Sequence, residues 1–109
     1  MPSITAAQLE ELLKERAAGR RDFDLIDVRE PGEYDIVRIE GATLMPQNRI
    51  LSGETELDTA REMYVHCKAG SRSANVVRHL REQGAGRVYN VEGGILQWVH
   101  DVEPEKPVY

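Results

Sequence analysis

The sequence predicts an α/β protein in which helices cover both faces of a central parallel sheet. Amphipathic helical patterns alternate along the chain with short apolar runs, and this alternation is typical of a parallel sheet. The runs Phe23–Val28 and Met63–His66 are mostly apolar, as expected of strands that are covered on both faces. Asp27, Cys67 and Gly93 each lie at or just after the end of such a run. They should therefore meet at the carboxyl edge of the sheet, where sites form in open α/β folds.

Length and composition limit the class of protein. The 109 residues predict a single domain over 1–109, with a short tail at 103–109, and the hydrophobic fraction of 40% suits a globular chain. The net charge of −5 argues against nucleic acid as a partner, because phosphate binding needs a basic face. No stretch is long and apolar enough to span a membrane, and the segment 1–5 lacks the pattern of a secretory leader.

The single cysteine narrows the chemistry further. One cysteine allows no intramolecular disulfide, no CxxC redox pair and no cysteine-rich zinc site. A free reduced thiol suits a cytoplasmic compartment. We therefore expect a cytoplasmic protein that works without a metal ion or a cofactor.

The first third of the chain shows clear start signals. Thr5 and Gln8 have the spacing of a capping box, and leucines at i, i+3 and i+4 follow them, so the sequence predicts a helix over 6–17. A strand is predicted over 23–28. Pro31 then suits the first turn of a short helix.

The middle of the chain is less regular. Residues 39–46 have the pattern of a turn and a short strand that stops at Pro46. Residues 47–60 are polar and are expected to be irregular, with a helical turn around 57–61. The apolar run 63–66 is the next strand.

The last third returns to regular alternation. A helix is predicted over 73–83 and ended by Gly84, and a strand is predicted over 87–91. The final helix is indicated by apolar residues at i, i+3, i+4 and i+7, which are Ile95, Trp98, Val99 and Val102. Trp98 at this spacing is expected to anchor the core.

The cysteine lies on a tight loop, Cys67–Arg72, between a strand and a helix. Free N–H groups and the dipole at a helix N-terminus stabilise an anion, and Gly70 can adopt positive φ so that loop amides face inward. Lys68 and Arg72 add positive charge, so the thiol should ionise readily and act as a nucleophile. A lone cysteine is usually a small buried hydrophobe, but such cysteines rarely sit beside Gly, Ser, Lys and Arg.

Three polar residues near the loop can be explained by structural roles. Asp27 and Arg29 could form a structural ion pair or help to shape the site, and their composition favours structure. His66 precedes the cysteine directly, and neighbouring residues of a strand point to opposite faces. We therefore interpret His66 as a packing or hydrogen-bonding residue rather than as a base for Cys67.

Several motifs, in order along residues 4–102, resemble the rhodanese-like domain family. They are Asp27–Pro31 with Glu33–Tyr34, Ile39–Ala42 ahead of Pro46, the loop Cys67–Ser73, and Asn90 with Gly93–Ile95 and Trp98. The resemblance implies a three-layer domain with a central parallel sheet of about five strands. Lys68 and the ending near 102–104 are similar to the C-terminal rhodanese domain of molybdopterin-synthase adenylyltransferase/sulfurtransferases, although no adenylylating domain is present here.

The same resemblance implies a sulfurtransferase. Cys67 would be the catalytic nucleophile and would carry a persulfide. The residues that would cradle this persulfide are Lys68, Ala69, Gly70, Ser71 and Arg72. The implied partners are an anionic sulfur donor (thiosulfate or a persulfide), a cysteine desulfurase, and a sulfur-carrier protein as acceptor.

Two other functions remain open at this point. A cysteine phosphatase or arsenate reductase uses the same combination of thiolate, amide cradle and arginine. Its loop is one residue longer than the four residues enclosed by Cys67 and Arg72 here, and a reductase usually needs a second thiol. The other alternative is a non-catalytic binding module that keeps the fold without the chemistry.

Overall fold

Five strands alternate with five helices in the computed structural model, which describes residues 1–109. The strands are β1 (Ser3–Ile4), β2 (Asp24–Asp27), β3 (Thr43–Leu44), β4 (Met63–His66) and β5 (Val88–Val91). The helices are α1 (Ala6–Ala17), α2 (Pro31–Ile36), α3 (Gln47–Leu51), α4 (Ser71–Glu82) and α5 (Gly94–Asp101). None of these helices combines the length and apolar composition that crossing a bilayer would need.

The five strands form one parallel sheet in the order β1-β5-β4-β2-β3. Strand β4 is central. On one side Asp27 of β2 lies opposite His66, and on the other side Val65 lies opposite Asn90 of β5. The predicted α/β fold with about five parallel strands is confirmed.

Two apolar clusters, one on each face of the sheet, form the core. Leu9 of α1 and Trp98 of α5 pack with Leu25 and Tyr64 on one face. The other cluster joins Ile26, Val65 and Val88 of the sheet to Ile50 of α3 and to Val76, Val77 and Leu80 of α4. Helices therefore cover both faces, and Trp98 is the core residue that its spacing predicts.

The predicted start of the first helix is present in detail. The backbone N–H of Gln8 donates to the Thr5 hydroxyl at 3.1 Å, and the backbone N–H of Thr5 donates to the Gln8 side chain at 2.9 Å. This reciprocal capping satisfies two N–H groups that have no partner within the helix. Helix α2 begins at Pro31, as predicted.

The structure differs from the sequence expectations in three places. Strand β1 was not predicted, because two residues are too few to show a periodicity. The segment 47–60, which was expected to be irregular, contains helix α3, which starts after Pro46 and buries Ile50. Residues 58–61 form a single hydrogen-bonded turn, in which the N–H of Arg61 donates to the Asp58 carbonyl at 3.1 Å. Helix α4 begins at Ser71 rather than at residue 73, since Gly70 serves as its N-cap.

Candidate active site

Three neighbouring strands end at the same edge of the sheet and bring the predicted polar residues together. Asp27 closes β2, Cys67 follows β4, and Gly93 follows β5. The expectation that these residues meet at the carboxyl edge therefore holds in the structure.

The sulfur of Cys67 lies at the base of its loop and is surrounded by hydrogen-bond donors. The residue is only 1% exposed. The backbone N–H of Gly70 donates to Sγ at 3.1 Å, and the Ser73 hydroxyl lies 3.4 Å from Sγ. Gly70 has a φ of 117°, which only glycine adopts without strain, and this conformation turns its N–H inward.

These donors favour the thiolate. Burial of Cys67 opposes ionisation, because a charged group loses solvation in the interior. The Ser73 hydroxyl and the backbone N–H groups of Ser73, Gly70 and Arg72 outweigh burial and lower the pKa of Cys67 below its ordinary value. A lowered pKa gives more of the nucleophilic form at neutral pH.

Ser73 is a site residue that sequence reasoning placed in the loop motif but gave no role. Its side chain is fully buried, and its hydroxyl also contacts the side-chain oxygen of Asn90 and the carbonyl of Gly70. Asn90 in turn donates to the Gly70 carbonyl at 3.3 Å. A hydroxyl has one hydrogen to donate, so an ionised Cys67 competes with these neutral acceptors for the Ser73 proton.

The first turn of α5 holds the other side of the loop. The N–H of Ile95 donates to the carbonyl of Cys67 at 2.9 Å, and the N–H of Leu96 donates to the carbonyl of Lys68 at 3.2 Å. Gly94 adopts a φ of +57°, and a Cβ on it would lie 2.4 Å from the Lys68 carbonyl oxygen. This close approach requires glycine, so Gly94 positions the loop against α5.

The cationic residues of the loop have different partners. Arg72 forms a two-bond ion pair with Glu33 of α2 at 2.7 and 2.9 Å. The ammonium of Lys68 has no carboxylate within ion-pair distance and lies 4.8 Å from the ring centre of Tyr109. Lys68 is half-buried, whereas Ala69 and Ser71 face solvent.

Asp27 and Arg29 form a buried ion pair at 2.8 Å, and neither side chain is exposed to solvent. Arg29 also donates to the carbonyl of Val37 at 2.6 Å. Neither residue hydrogen-bonds to the sulfur of Cys67. The pair therefore fixes the chain at the start of α2, which agrees with the structural interpretation of these two residues.

His66 is buried beside this pair and does not hydrogen-bond to the sulfur. Its Nδ1 lies 3.3 Å from the Cys67 carbonyl oxygen. Its Nε2 has no hydrogen-bond partner, since the nearest carboxylate oxygen, on Asp27, is 3.7 Å away. Burial lowers the pKa of His66, which favours the neutral form of the ring. This geometry agrees with a packing residue.

Comparison with known proteins identifies the fold family. The sequence matches the rhodanese-like domain family over residues 5–101, which is nearly the whole chain. The chain belongs to the rhodanese-like domain family. A rhodanese-related protein from Thermoplasma volcanium is similar in structure, with a TM-score of 0.78 at 30% identity; the match covers 100% of this chain and 98% of that one.

Two curated relatives carry sulfur-transfer names. This rhodanese-like chain is 37% identical over 109 residues to the probable adenylyltransferase/sulfurtransferase MoeZ of Mycobacterium tuberculosis. The match covers 98% of this chain but only 27% of that protein. It is 35% identical over 88 residues to a sulfurtransferase of Allochromatium vinosum, with 81% of this chain and 82% of the relative covered. These relatives support a sulfurtransferase role.

Proposed function

We propose that this chain, as a single domain, carries sulfane sulfur as a persulfide on Cys67. The proposal rests on one observation, the hydrogen bonding of the Cys67 sulfur. The N–H of Gly70 lies 3.1 Å from Sγ, and the hydroxyl of Ser73 lies 3.4 Å from it. Relatives named as sulfurtransferases agree with it. The free thiol also suits a cytoplasmic location.

The first half-reaction loads the cysteine. The Cys67 thiolate attacks the outer sulfur of thiosulfate, a new S–S bond forms, and the bond to the sulfonate sulfur breaks. Sulfite leaves with the electron pair of that bond, so charge and electrons balance. A protein persulfide would load Cys67 in the same way, with the donor thiolate as leaving group, and a cysteine desulfurase is a donor of this kind.

The second half-reaction unloads it. A nucleophilic acceptor attacks the outer sulfur of the persulfide, and the Cys67 thiolate leaves with the electron pair of the S–S bond. A sulfur-carrier protein is the acceptor that similarity to adenylyltransferase/sulfurtransferases suggests. The cycle needs one cysteine and no cofactor.

Each residue of the loop has a part in this scheme. The backbone N–H groups from Lys68 to Arg72 surround the added sulfur and stabilise its negative charge, as an oxyanion hole does for oxygen. Ala69 and Ser71 contribute backbone only, because their side chains face solvent. Lys68 supplies the charge that attracts an anionic donor, and the buried pair Asp27–Arg29 supports the site from below.

Intact mass after incubation with thiosulfate tests this function. We expect a gain of one sulfur atom that a reductant reverses and that Cys67→Ala abolishes. Cys67→Ser should fold normally and transfer no sulfur, because a hydroxyl without a base is a poor nucleophile. A protein that gains no sulfur from thiosulfate or from a cysteine desulfurase would contradict the proposal and favour the phosphatase or binding-module alternatives.

A further inference from the structure

Residues 103–109, here called the C-terminal strap, return from the end of α5 towards the Cys67 loop. Glu103 accepts a hydrogen bond from the indole N–H of Trp98 at 2.7 Å. Further along, Lys106 lies 3.5 Å from the carbonyl oxygen of Arg38. The main-chain oxygen of Tyr109 accepts from Arg29 at 3.4 Å. The strap is thus held at three points and ends beside the buried ion pair.

The contact between Tyr109 and Arg29 brings the ring of Tyr109 next to Lys68 of the Cys67 loop. The Lys68 ammonium lies 4.8 Å from the ring centre, within the range in which an aromatic face attracts a cation. Lys68 carries the one positive charge of the loop that no carboxylate neutralises, since Arg72 is paired with Glu33. The ring of Tyr109 therefore interacts with the ammonium group to which a small anionic donor would bind.

We propose that Tyr109 is a specificity-determining residue of the sulfurtransferase site, and this inference rests on the proposed function. Its ring competes with a small anion for the Lys68 ammonium and lowers the reactivity of Cys67 towards free dianions such as thiosulfate. A persulfide carried on a larger molecule brings contacts of its own and depends less on this one charge. The pair Tyr109–Lys68 thus favours donors that deliver sulfur on a carrier.

Alkylation of Cys67 tests this inference without any sulfur transfer. Iodoacetate is an anion and iodoacetamide is neutral, and a thiolate is the side chain that both reagents alkylate fastest, so the rapid phase reports on the single cysteine. We expect Tyr109→Ala to raise the ratio of the iodoacetate rate to the iodoacetamide rate severalfold. Tyr109→Phe should keep the ratio of the unaltered protein, because it keeps the ring. Val108→Ala is the matched control, since Val108 precedes Tyr109 in the strap and is exposed.

The charge of Lys68 must carry the effect. In a Lys68→Gln background, Tyr109→Ala should leave the ratio unchanged, and salt at about 1 M should suppress the increase, because screening then acts over roughly 3 Å. An equal rise for both reagents would show a simple steric cover and overturn the proposal. An unchanged ratio in Tyr109→Ala, or an increase that persists without Lys68, would overturn it as well.

Sulfur transfer gives the second readout. Tyr109→Ala should raise kcat/KM for thiosulfate severalfold and leave kcat/KM for a persulfide-loaded protein donor unchanged or lower. A parallel increase for both donors would contradict the inference. If no variant takes up sulfur at all, the proposed function fails, while the alkylation ratio still decides whether Tyr109 controls the charge at Lys68.

Discussion

Arg72 and Glu33 meet through two hydrogen bonds of 2.7 and 2.9 Å, which tie the end of the Cys67 loop to α2. The two residues are 39 positions apart in the sequence. The pair commits the guanidinium to a carboxylate, so Arg72 acts on Cys67 chiefly through its backbone N–H. It also links the loop to the segment that the buried pair Asp27–Arg29 holds in place.

The Glu33–Arg72 pair should make stability depend on pH in the acid range. The hydrogen bond from Arg72 lowers the pKa of Glu33 from 4.5 to about 2, against the opposing effect of burial. Because the pKa is lower in the folded state, the stabilisation is present above pH 4.5 and is lost as the pH falls towards 2. Removing Glu33 should therefore remove about 1–3 kcal/mol of pH-dependent stability.

Urea unfolding at about pH 6 and about pH 3 measures this difference. Glu33→Gln should lose less stability on acidification than the unaltered protein. Glu40→Gln is the control, since Glu40 is exposed and makes no ion pair. An identical pH dependence in Glu33→Gln and the unaltered protein would show that the pair contributes nothing.

Ser73→Ala should make Cys67 harder to ionise. The variant removes the hydroxyl 3.4 Å from the sulfur, and a hydrogen bond to a charged group is worth about one pKa unit or slightly more. The pH midpoint of iodoacetamide alkylation should therefore rise by about one unit. Ser52→Ala removes an exposed hydroxyl that donates to the Arg49 carbonyl oxygen, and it should leave the midpoint unchanged. A midpoint that stays in place in Ser73→Ala would remove Ser73 from the account of the lowered pKa.

Gly94→Ala should destabilise the protein and displace the loop. The added methyl group would meet the carbonyl groups of Lys68 and Cys67 at 2.4 and 2.5 Å, on a backbone with positive φ. The backbone strain alone costs about 1–3 kcal/mol, and the close contacts add to it. Gly86→Ala is the matched control, because nothing lies within 4 Å of a Cβ there. Equal free energies of unfolding in the two variants would contradict the role of Gly94.

Asp27→Ala should be far more damaging than the loss of a surface ion pair. It leaves the guanidinium of Arg29 buried without its carboxylate, which costs about 3–5 kcal/mol. The comparison is Lys14→Ala, which breaks the exposed pair with Glu11 and should leave stability nearly unchanged. Thermal unfolding of both variants measures the contrast. A small effect of Asp27→Ala would mean that water or another group reaches Arg29.

Local patterns predicted the elements that a few neighbouring residues determine. The helix at 6–17, the strand at 63–66 and the loop that follows it all have their signals within one stretch of sequence. Strand β1 and helix α3 escaped prediction, because two and five residues give no usable periodicity. Their positions depend on pairing with β5 and on packing of Ile50 against the sheet.

Part of the candidate site could likewise be predicted from local sequence, and part could not. The placement of Cys67, Gly70 and the start of the next helix follows from residue types in one loop. The residues that contact this loop from other segments cannot be predicted from those residue types. Glu33 reaches Arg72 across 39 positions, and the contact of Tyr109 with Lys68 joins segments that no local pattern relates. Such contacts arise from the path of the chain around the sheet, which only the folded structure gives.

The central position of β4 determines at which stage of unfolding the site around Cys67 is disrupted. Edge strands β1 and β3 are two residues long and have one neighbour each, so they should fray first in native-state hydrogen exchange. Strand β4 has a paired strand on each side, so the amides of Met63–His66 should exchange only on global opening. Partial unfolding of the edge strands would therefore leave Cys67 in its folded surroundings. The rate at which oxidants reach Cys67 should then correlate with the exchange rates of the slowest amides of the domain, not with the average rate.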